Sequence, residues 1–350
     1  MIKVKVALLG LKDDFSNMPS GGIQRYMFEL YQNLHKMNTN IEKVSFKPIK
    51  FLGNGPSFTI QTLLKNFKDY NIIHLPMPLL FKNLYIKDKI LIKTAHDFRP
   101  LLYSQYTFGH KNTLKYKMWI KFIVNTGCRS TLDSDYIISN SSQTRDEAIR
   151  LGFDKKRIFI TNLGVDKSFT ESPIKKQRKK DIFKVGYIGS LAFGKNVEFA
   201  IKAGNIISDK KISFEIWGNG SEYEYLNSIS ENKNIKFKGF ASKILNTYDG
   251  FDVFVHPSFH EGFGLPIIEA QSRGLPVVIY KYGKIPKEVR KYCFEAENPD
   301  HMAQIIENIK ENGYNEKLKK KATEYARGFT WENTAKKTLE VYEKLISING

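Results

Sequence analysis

Short apolar runs alternate with amphipathic segments along the first half of the chain. Runs of three to six apolar residues bounded by polar or turn residues are typical of strands buried in a parallel sheet. Apolar residues three and four positions apart predict helices between them. The predicted strands are residues 2–9, 72–75, 90–95, 136–139 and 158–160, and the predicted helices are residues 22–37 and 143–151. This alternation predicts a doubly wound α/β domain.

The same alternation begins again after a lysine-rich segment, residues 171–182, which has few apolar side chains and is predicted to be a linker. The strands predicted after it are residues 183–189, 212–217, 235–237, 253–255 and 276–280. We therefore expect two Rossmann-like domains, residues 1–170 and 183–330, that face each other across a cleft. Clefts between such domains are favoured ligand sites.

Composition restricts the class of protein. A chain of 350 residues with 41% hydrophobic residues is long enough for two globular domains. It contains no run of about 18 apolar residues, so no membrane-spanning helix is predicted. Cys128 and Cys293 are its only cysteines, which argues against a disulfide framework or a zinc site and favours a reducing compartment. The first strand lacks a signal-peptide cleavage site, and we expect a cytoplasmic protein.

Basic residues are unevenly distributed. The net charge is +19, and residues 1–170 hold 26 lysines and arginines against 13 acidic residues. Such an excess favours an anionic partner, for which a membrane surface is one interpretation. An ordinary lysine-rich solvated surface is the other, and both stay open. Residues 110–130, which mix lysines with aromatic residues, are interpreted either as a membrane-surface element or as a buried helix. No nucleic-acid reading motif is present, so nucleic acid is not an expected partner.

A glycine-rich loop with two acidic residues lies between two strands of the second half. Glu261 and Glu269 stand eight positions apart, with Gly262 and Gly264 in the loop and Pro266 at a predicted helix start. Glycines let the backbone approach a ligand closely. The amides at a helix start favour an anionic or hydroxyl-rich ligand, and carboxylates accept hydrogen bonds from hydroxyl groups. The segment therefore predicts a sugar-binding loop.

This segment resembles the paired-glutamate motif of retaining glycosyltransferases with the GT-B fold, of the glycosyltransferase family 4 type. The resemblance includes the preceding Pro257-Ser258, the stretch 262–266 and the later Gly-Leu-Pro-Val-Val at 274–278. It implies a nucleotide diphosphate sugar as donor, retention of the anomeric configuration, and no metal or other cofactor. It also implies that the last helix, residues 331–350, packs back on the first domain.

The resemblance assigns roles to the loop. Glu269 is implied to hold the ribose of the nucleotide. The groups implied to hold the sugar hydroxyls are Glu261 and the backbone amides of Gly262, Phe263, Gly264 and Leu265.

Two motifs of the first half are candidate ligand contacts. Gly21 and Gly22 precede a predicted helix whose first amides can meet phosphate, and the resemblance places this turn beside the donor diphosphate and the acceptor. His96 follows a predicted strand, and ligands of open α/β sheets bind at the carboxyl ends of strands. The resemblance places this histidine near the transferred sugar. Asp97 is interpreted either as a substrate contact or as a residue that caps or orients the histidine.

Two motifs follow strands of the second half. Lys195 matches the lysine that the family places on the diphosphate, but Ser190 and Gly194 stand where the family usually has an arginine. Lys281 and Lys284 are candidates to replace that arginine. Gly218 resembles the family's Gly-x-Gly turn near the nucleotide, and a tight turn without a ligand contact is the alternative interpretation.

We therefore expect a hexosyltransferase with His96, Lys195 and Glu261 as catalytic residues, and with a lipid-linked or growing glycan as acceptor. Three other functions stay open. They are a sugar-nucleotide epimerase or hydrolase on the same fold, a non-catalytic sugar-binding relative, and a nucleic-acid-binding protein.

Overall fold

The computed structural model of the chain describes residues 5–11, 21–37, 39–47, 54–76, 88–103, 118, 125–174 and 181–349. Contacts group these residues into two compact units. The first contains residues 5–103, 118, 125–164 and 330–349 of the described set, and the second contains residues 165–174 and 181–329. Most of the segment 110–130 lies outside the described residues.

The first unit is built on a six-stranded parallel sheet. Its strands are β1 (Val6–Leu11), β2 (Ile41–Phe46), β3 (Ile72–Leu75), β4 (Ile90–Ala95), β5 (Tyr136–Ser139) and β6 (Ile158–Ile160). They lie in the order β2-β1-β3-β4-β5-β6, and each neighbouring pair is parallel. The strand order therefore reverses between β1 and β3, a switch point of the flavodoxin type. Central strands of parallel sheets are covered on both faces, which explains the almost continuous apolar runs of β3 and β4.

Among the described residues of the first unit, five α-helices precede the second unit in the chain. They are α1 (Gly22–Lys36), α2 (Asn54–Leu64), α3 (Arg99–Leu102), α4 (Asn125–Thr131) and α5 (Ser142–Arg150). Ser141 caps the amino end of α5, because its hydroxyl accepts a hydrogen bond from the backbone N–H of Thr144 at 3.1 Å. Helix α1 places Tyr26, Met27, Leu30 and Leu34 on its buried face, as the apolar spacing predicts.

The second unit has a sheet with a different strand order. Its strands are β7 (Phe183–Ile188), β8 (Ile212–Trp217), β9 (Ile235–Gly239), β10 (Val253–His256), β11 (Val277–Tyr280) and β12 (Phe294–Ala296). They lie in the order β12-β11-β10-β7-β8-β9, all parallel. Numbered within the unit this is the Rossmann order 3-2-1-4-5-6, and it reverses between β7 and β10.

The described part of this unit contains eight α-helices. They are α6 (Lys167–Glu171), α7 (Val197–Ile206), α8 (Tyr223–Ser228), α9 (Ile244–Tyr248), α10 (Leu265–Ser272), α11 (Lys287–Arg290), α12 (Pro299–Asn312) and α13 (Glu316–Arg327). The core includes Val185 and Phe214 of the sheet and Ile201, Ala303 and Ile306 of α7 and α12. At about 1.5–3 kcal/mol for each large apolar side chain removed from water, this layer holds the sheet and its helices together.

The last helix, α14 (Trp331–Asn349), belongs to the first unit. The Tyr342 hydroxyl lies 2.6 Å from Nδ1 of His74 on β3. The Trp331 ring lies 6.3 Å from the Tyr26 ring of α1. Among the described residues, no helix combines the length and the apolar composition needed to cross a bilayer.

The two sheets confirm the predicted α/β fold class. The unit boundary differs from the predicted limit of the first domain at residue 170, since α6 packs in the second unit. The reason is Phe169, a buried residue whose ring lies edge-on to that of Tyr248 at 5.5 Å. The beginning of the predicted linker is also fixed to this unit, because Arg273 donates hydrogen bonds to the carbonyls of Ser172 and Pro173 at 3.0 and 2.8 Å.

Candidate active site

Two loops meet where the strand order of the second sheet reverses. The loop after β7 and the loop after β10 leave neighbouring strands at their carboxyl ends, where open α/β sheets bind ligands. The backbone N–H of Phe259 donates to the carbonyl of Gly194 at 3.1 Å, and the side-chain amide of Asn196 donates to the carbonyl of Pro257 at 3.1 Å. These bonds hold the loops together, so that residues distant in sequence become neighbours.

Lys195 and Glu261 form an ion pair at this point. The Lys195 Nζ atom lies 2.7 Å from Glu261 Oε1, and the side chains are 23% and 9% exposed. His256, at the end of β10, places its Nε2 atom 2.8 Å from the same oxygen. Burial by itself would raise the pKa of Glu261, but Lys195 and His256 hold this pKa well below its usual range. Glu261 is therefore an ionised carboxylate at neutral pH, with an accessible ammonium beside it.

A third loop supports the glutamate. The backbone N–H of Lys284 donates to the carbonyl of Phe259 at 2.7 Å, and that of Glu261 donates to the carbonyl of Lys284 at 2.8 Å. Lys284 is exposed, so its backbone adjoins the ion pair and its side chain is accessible to an anion. The Nζ atom of Lys281 lies 2.6 Å from Glu297 Oε1. Of the two lysines predicted to replace the missing arginine, Lys284 has the better position.

The glycine-rich loop ends at the amino end of α10. Gly264 caps this helix with φ = +96°, a left-handed conformation that favours glycine. The partly exposed Gly262 and Leu265 flank buried residues, and the first amides of a helix lack partners within it. The Phe263 ring is buried and packs on Phe329 at 5.7 Å, so Phe263 can offer a ligand only its backbone.

Glu269 lies on α10 and is 2% exposed. Its Oε2 atom accepts a hydrogen bond from the Tyr248 hydroxyl at 2.8 Å. Tyr248 is itself fully buried and lies in a cluster of aromatic rings. The structure thus gives the second glutamate of the motif a fixed position and a phenolic donor.

Gly218 allows a close backbone contact at the end of β8. Its φ is +138°, and a Cβ atom at this position would lie 1.8 Å from the carbonyl oxygen of Gly189. Its N–H donates to the carbonyl of Gly239 at 2.7 Å. The packing of the strand ends is by itself enough to require glycine at this turn.

His96 of the first unit follows β4. Its Nε2 atom donates to the carbonyl of Pro76 at 2.9 Å, so Nδ1 is the acceptor nitrogen of the neutral ring. Burial lowers the pKa of His96 to about 4, which keeps the ring neutral at pH 7. The Tyr26 ring meets it edge-on at 5.1 Å. Asp97 accepts a hydrogen bond from the backbone N–H of Arg99 at 2.8 Å.

The Gly21-Gly22 turn contrasts with Gly218. Gly21 precedes α1 with φ = −161°, an extended conformation open to any residue. A Cβ atom at Gly21 or Gly22 would meet nothing within 4 Å. Neither backbone strain nor packing within the described residues therefore requires glycine here.

Sequence reasoning missed the polar residues that support these sites. The family motif does not single out His256, and Tyr248 belongs to none of the motifs identified in the sequence. In the first unit the two ring nitrogens of His74 lie 2.6 Å from the Tyr342 hydroxyl and 2.7 Å from the Thr94 hydroxyl. A histidine inside the apolar run Ile-Ile-His-Leu of β3 was the available signal, because a buried polar side chain needs a partner. No group of three or more histidine, cysteine or acidic residues in the described part of the chain is arranged to hold a metal ion.

Comparison with known proteins shows what this chain is similar to. Residues 168–329 match the family model described as "Glycosyl transferases group 1". O-antigen chain mannosyltransferase B of Escherichia coli is 25% identical over 306 residues, covering 81% of this chain and 76% of that protein. D-inositol 3-phosphate glycosyltransferase of Paenarthrobacter aurescens (strain TC1) is 26% identical over 240 residues, covering 60% of this chain and 58% of that protein.

A solved structure shares the fold. Anabaena Alr3699/HepE, in complex with UDP-glucose, superposes with a TM-score of 0.66 at 17% identity, covering 97% of this chain and 99% of that one.

Proposed function

We propose that this chain, whose residues 168–329 match the model of the glycosyl transferases group 1 family, moves a hexose from a nucleotide diphosphate sugar to an acceptor hydroxyl and retains the anomeric configuration. The observation that carries the proposal is the Lys195–Glu261 pair, 2.7 Å apart at the switch point of the second sheet. An exposed ammonium, an ionised carboxylate and a helix amino end are concentrated there. This combination suits a ligand that carries both a diphosphate and sugar hydroxyls.

Lys195 is assigned to the departing diphosphate. Negative charge grows on the leaving oxygen as its bond to the anomeric carbon breaks. An ammonium held in place by Glu261 can stabilise this charge without reorganising, which is often the largest catalytic contribution. A diphosphate would compete with the carboxylate for the same ammonium, so Lys284 is our candidate for the second cation. The proposal needs no metal ion.

The carboxylates are assigned to hydroxyl groups. Glu261 and the backbone amides of residues 262–265 would hold the sugar. Glu269 would accept a hydrogen bond from the ribose while it also accepts one from the Tyr248 hydroxyl. Positioning by several such bonds supports catalysis because it fixes the reacting atoms in advance. We do not assign Glu261 the role of a covalent nucleophile.

The acceptor would enter on the face from which the diphosphate leaves. Its oxygen then forms the new glycosidic bond as the bond to the diphosphate breaks, and its proton passes to a diphosphate oxygen. The neutral His96 is assigned to a sugar hydroxyl, which can donate to Nδ1. The amides at the Gly21-Gly22 turn are assigned to the diphosphate, as the family resemblance implies.

UDP-glucose is the first donor to test, because the HepE structure of the same fold holds it. A lipid-linked or growing glycan is the acceptor class we favour. The mannosyltransferase relative acts on an O-antigen chain, and the basic excess of residues 1–170 suits an acceptor presented at an anionic surface.

The first experiment is a melting-temperature screen against UDP- and GDP-sugars, with free hexoses and nucleoside monophosphates as matched controls. A donor at a hundred times its Kd stabilises the native state by about 2.7 kcal/mol. Stabilisation by one donor, and not by its separate parts, supports the proposal. If no donor of the panel raises the melting temperature or is consumed, the proposal fails.

Turnover assays then separate the alternatives. A transferase consumes the stabilising donor slowly until an acceptor is added, whereas a hydrolase or an epimerase needs no acceptor. The anomeric proton coupling of the product decides between retention and inversion. Equal rates with and without EDTA would support the metal-independent mechanism.

A further inference from the structure

His256 lies at the end of β10 behind Glu261, and the proposed mechanism gives it no role. It is the last residue of β10, it is 0% exposed, and its Nε2 atom lies 2.8 Å from Glu261 Oε1 and 3.2 Å from the Ser258 hydroxyl oxygen. A side chain so completely covered cannot approach a donor from solvent. Any effect it has on transfer must therefore pass through the residues that it contacts.

The hydrogen bond to Glu261 has a defined direction. An ionised carboxylate only accepts hydrogen bonds, so the Nε2 atom of His256 carries the hydrogen and donates it. Lys195 donates to the same oxygen at 2.7 Å. Two donors that converge on Oε1, one from β10 and one from the loop after β7, restrict the glutamate to one orientation. A glutamate without them would retain much of its rotamer freedom.

Ring packing fixes the donor itself. The imidazole stacks on the Tyr187 ring at 6.2 Å with 14° between the planes, and on the Phe254 ring at 6.1 Å with 19°. The Tyr187 hydroxyl donates to the carbonyl of Ser190 at 3.0 Å, in the loop that carries Lys195. His256 thus contacts Glu261 directly, and through Tyr187 it is packed against the loop that carries Lys195.

The other ring nitrogen of His256 also indicates that the contacts of Nε2 explain this residue. The Nδ1 atom of His256 is buried and has no hydrogen-bond partner among the described residues. A buried polar atom without a partner is costly and rare. The contacts of Nε2 are therefore the polar interactions that account for a histidine at the end of this strand.

We propose that His256 is a positioning residue that holds the Glu261 carboxylate in the orientation used for sugar transfer. The inference rests on the proposed function, because the transfer reaction gives this orientation its purpose. It extends the site by one residue that acts through Glu261 and does not touch the donor.

Three substitutions test the proposal. The side-chain nitrogen of glutamine is as many bonds from the backbone as Nε2, whereas that of asparagine corresponds to Nδ1. His256→Gln keeps a donor within reach of Glu261, His256→Asn moves it out of reach, and His256→Phe keeps the ring without a donor. We expect His256→Asn and His256→Phe to lower kcat about 10- to 100-fold, the scale of a small misplacement of catalytic groups. The KM for the donor should change much less, and His256→Gln should recover most of kcat.

The matching substitutions at His301 of α12 are the control, and they should leave kcat unchanged. Melting temperatures of all variants exclude loss of the fold as the cause, and His256→Phe serves if His256→Asn does not fold. Equal losses in the glutamine, asparagine and phenylalanine variants, or no loss in any of them, would overturn the inference.

Crystal structures separate this inference from the proposed function. If the wild-type protein transfers no sugar, the proposed function fails, but the position of Glu261 can still be compared. Glu261 should stay on Lys195 in His256→Gln and should leave its place in His256→Asn and His256→Phe. An unmoved Glu261 in the donorless variants would show that His256 does not position it.

Discussion

The carboxyl edges of the two sheets hold different chemistry on similar scaffolds. At the edge of the first sheet, burial lowers the pKa of His74 to about 3 and that of His96 to about 4, so both rings are neutral at pH 7. At the edge of the second sheet, Glu261 is just as covered, yet its pKa is held well below its usual range. The difference lies in the partners, since His74 contacts the hydroxyls of Tyr342 and Thr94 and Glu261 contacts an ammonium.

Burial alone therefore does not determine the charge of a site. It disfavours the charged form of each group, and a nearby opposite charge reverses that outcome. The neutral groups of the first unit suit hydrogen bonds to uncharged hydroxyls. The ion pair of the second unit suits a ligand that carries charge. The division agrees with the assignment of Lys195 to the donor diphosphate.

Removal of the charged pair is expected to have the largest effect. Lys195→Ala and Glu261→Ala should each lower kcat by about 10²–10³, or about 2.7–4 kcal/mol of transition-state stabilisation. Lys195→Ala should also reduce the free energy of unfolding more than Glu261→Gln does, because it leaves a buried carboxylate without its ammonium. Steady-state kinetics and urea unfolding measure the two effects.

The control for this prediction is a surface pair of the same unit. Lys202 and Glu198 of α7 are 2.6 Å apart, and the lysine is 56% exposed. Lys202→Ala should change stability by no more than about 0.5 kcal/mol and should leave kcat at the wild-type value. Near-normal turnover in both Lys195→Ala and Glu261→Ala would reject the assigned roles.

Gly218 is expected to show the next largest effect, on stability. Gly239→Ala is the control, because Gly239 also has a positive φ, +68°, but no atom within 4 Å of an added Cβ. It should cost about 1–2 kcal/mol for the left-handed backbone. Gly218→Ala should cost about 1–3 kcal/mol more, because its Cβ meets the Gly189 carbonyl. If urea unfolding shows that Gly218→Ala and Gly239→Ala lose the same free energy of unfolding, the close contact with the Gly189 carbonyl does not limit the side chain at position 218.

The buried neutral ring of His74 should affect the pH dependence of stability. The pKa of His74 is about 3 in the folded chain against an ordinary value of 6.5. Below pH 6.5 the unfolded chain therefore binds a proton that the folded chain refuses. The free energy of unfolding should therefore decrease as the pH is lowered from 6.5 towards 3, by up to about 1.4 kcal/mol per pH unit. Above pH 6.5 the contribution of His74 to stability is constant.

His74→Gln removes the titrating group and should reduce that slope between pH 6.5 and 4. Tyr342→Phe is the matched control, because it removes a hydrogen bond to the ring and keeps the ring itself. It should lower stability by about 1 kcal/mol and retain the slope. Identical slopes in wild type and His74→Gln would contradict the assignment of a neutral buried ring.

The sequence predicts strands that coincide with an apolar run better than strands whose apolar pattern is interrupted. The bounds of β3, β4, β5 and β6 agree with their apolar runs, because a proline or a polar residue ends each run. The edge strand β2 was missed, since its exposed positions interrupt the apolar pattern. The three-residue β12 and helix α2 were missed as well. Residues 12–20 and 175–180 lie outside the described part of the chain.

The site residues illustrate what a linear pattern leaves out. Lys195 and Glu261 were each proposed from the sequence, but they are 66 positions apart. Their contact depends on β7 and β10 being neighbours in the sheet. His256 and Tyr248 were missed for the same reason, because the carboxylates they support are identified only by packing. Local pattern thus predicts the elements, while strand order decides which side chains meet.

The smallest expected effect on stability is at Gly22, where the two units differ most clearly in their use of glycine. An added Cβ at Gly22 meets nothing within 4 Å, and alanine in the first turn of α1 restricts the unfolded chain. Gly22→Ala should therefore leave the free energy of unfolding unchanged or raise it by up to about 1 kcal/mol. If the turn must let a diphosphate approach the backbone, kcat/KM for the donor should fall even though the fold is intact. A loss of stability with normal turnover would instead assign this glycine, like Gly218, to the fold.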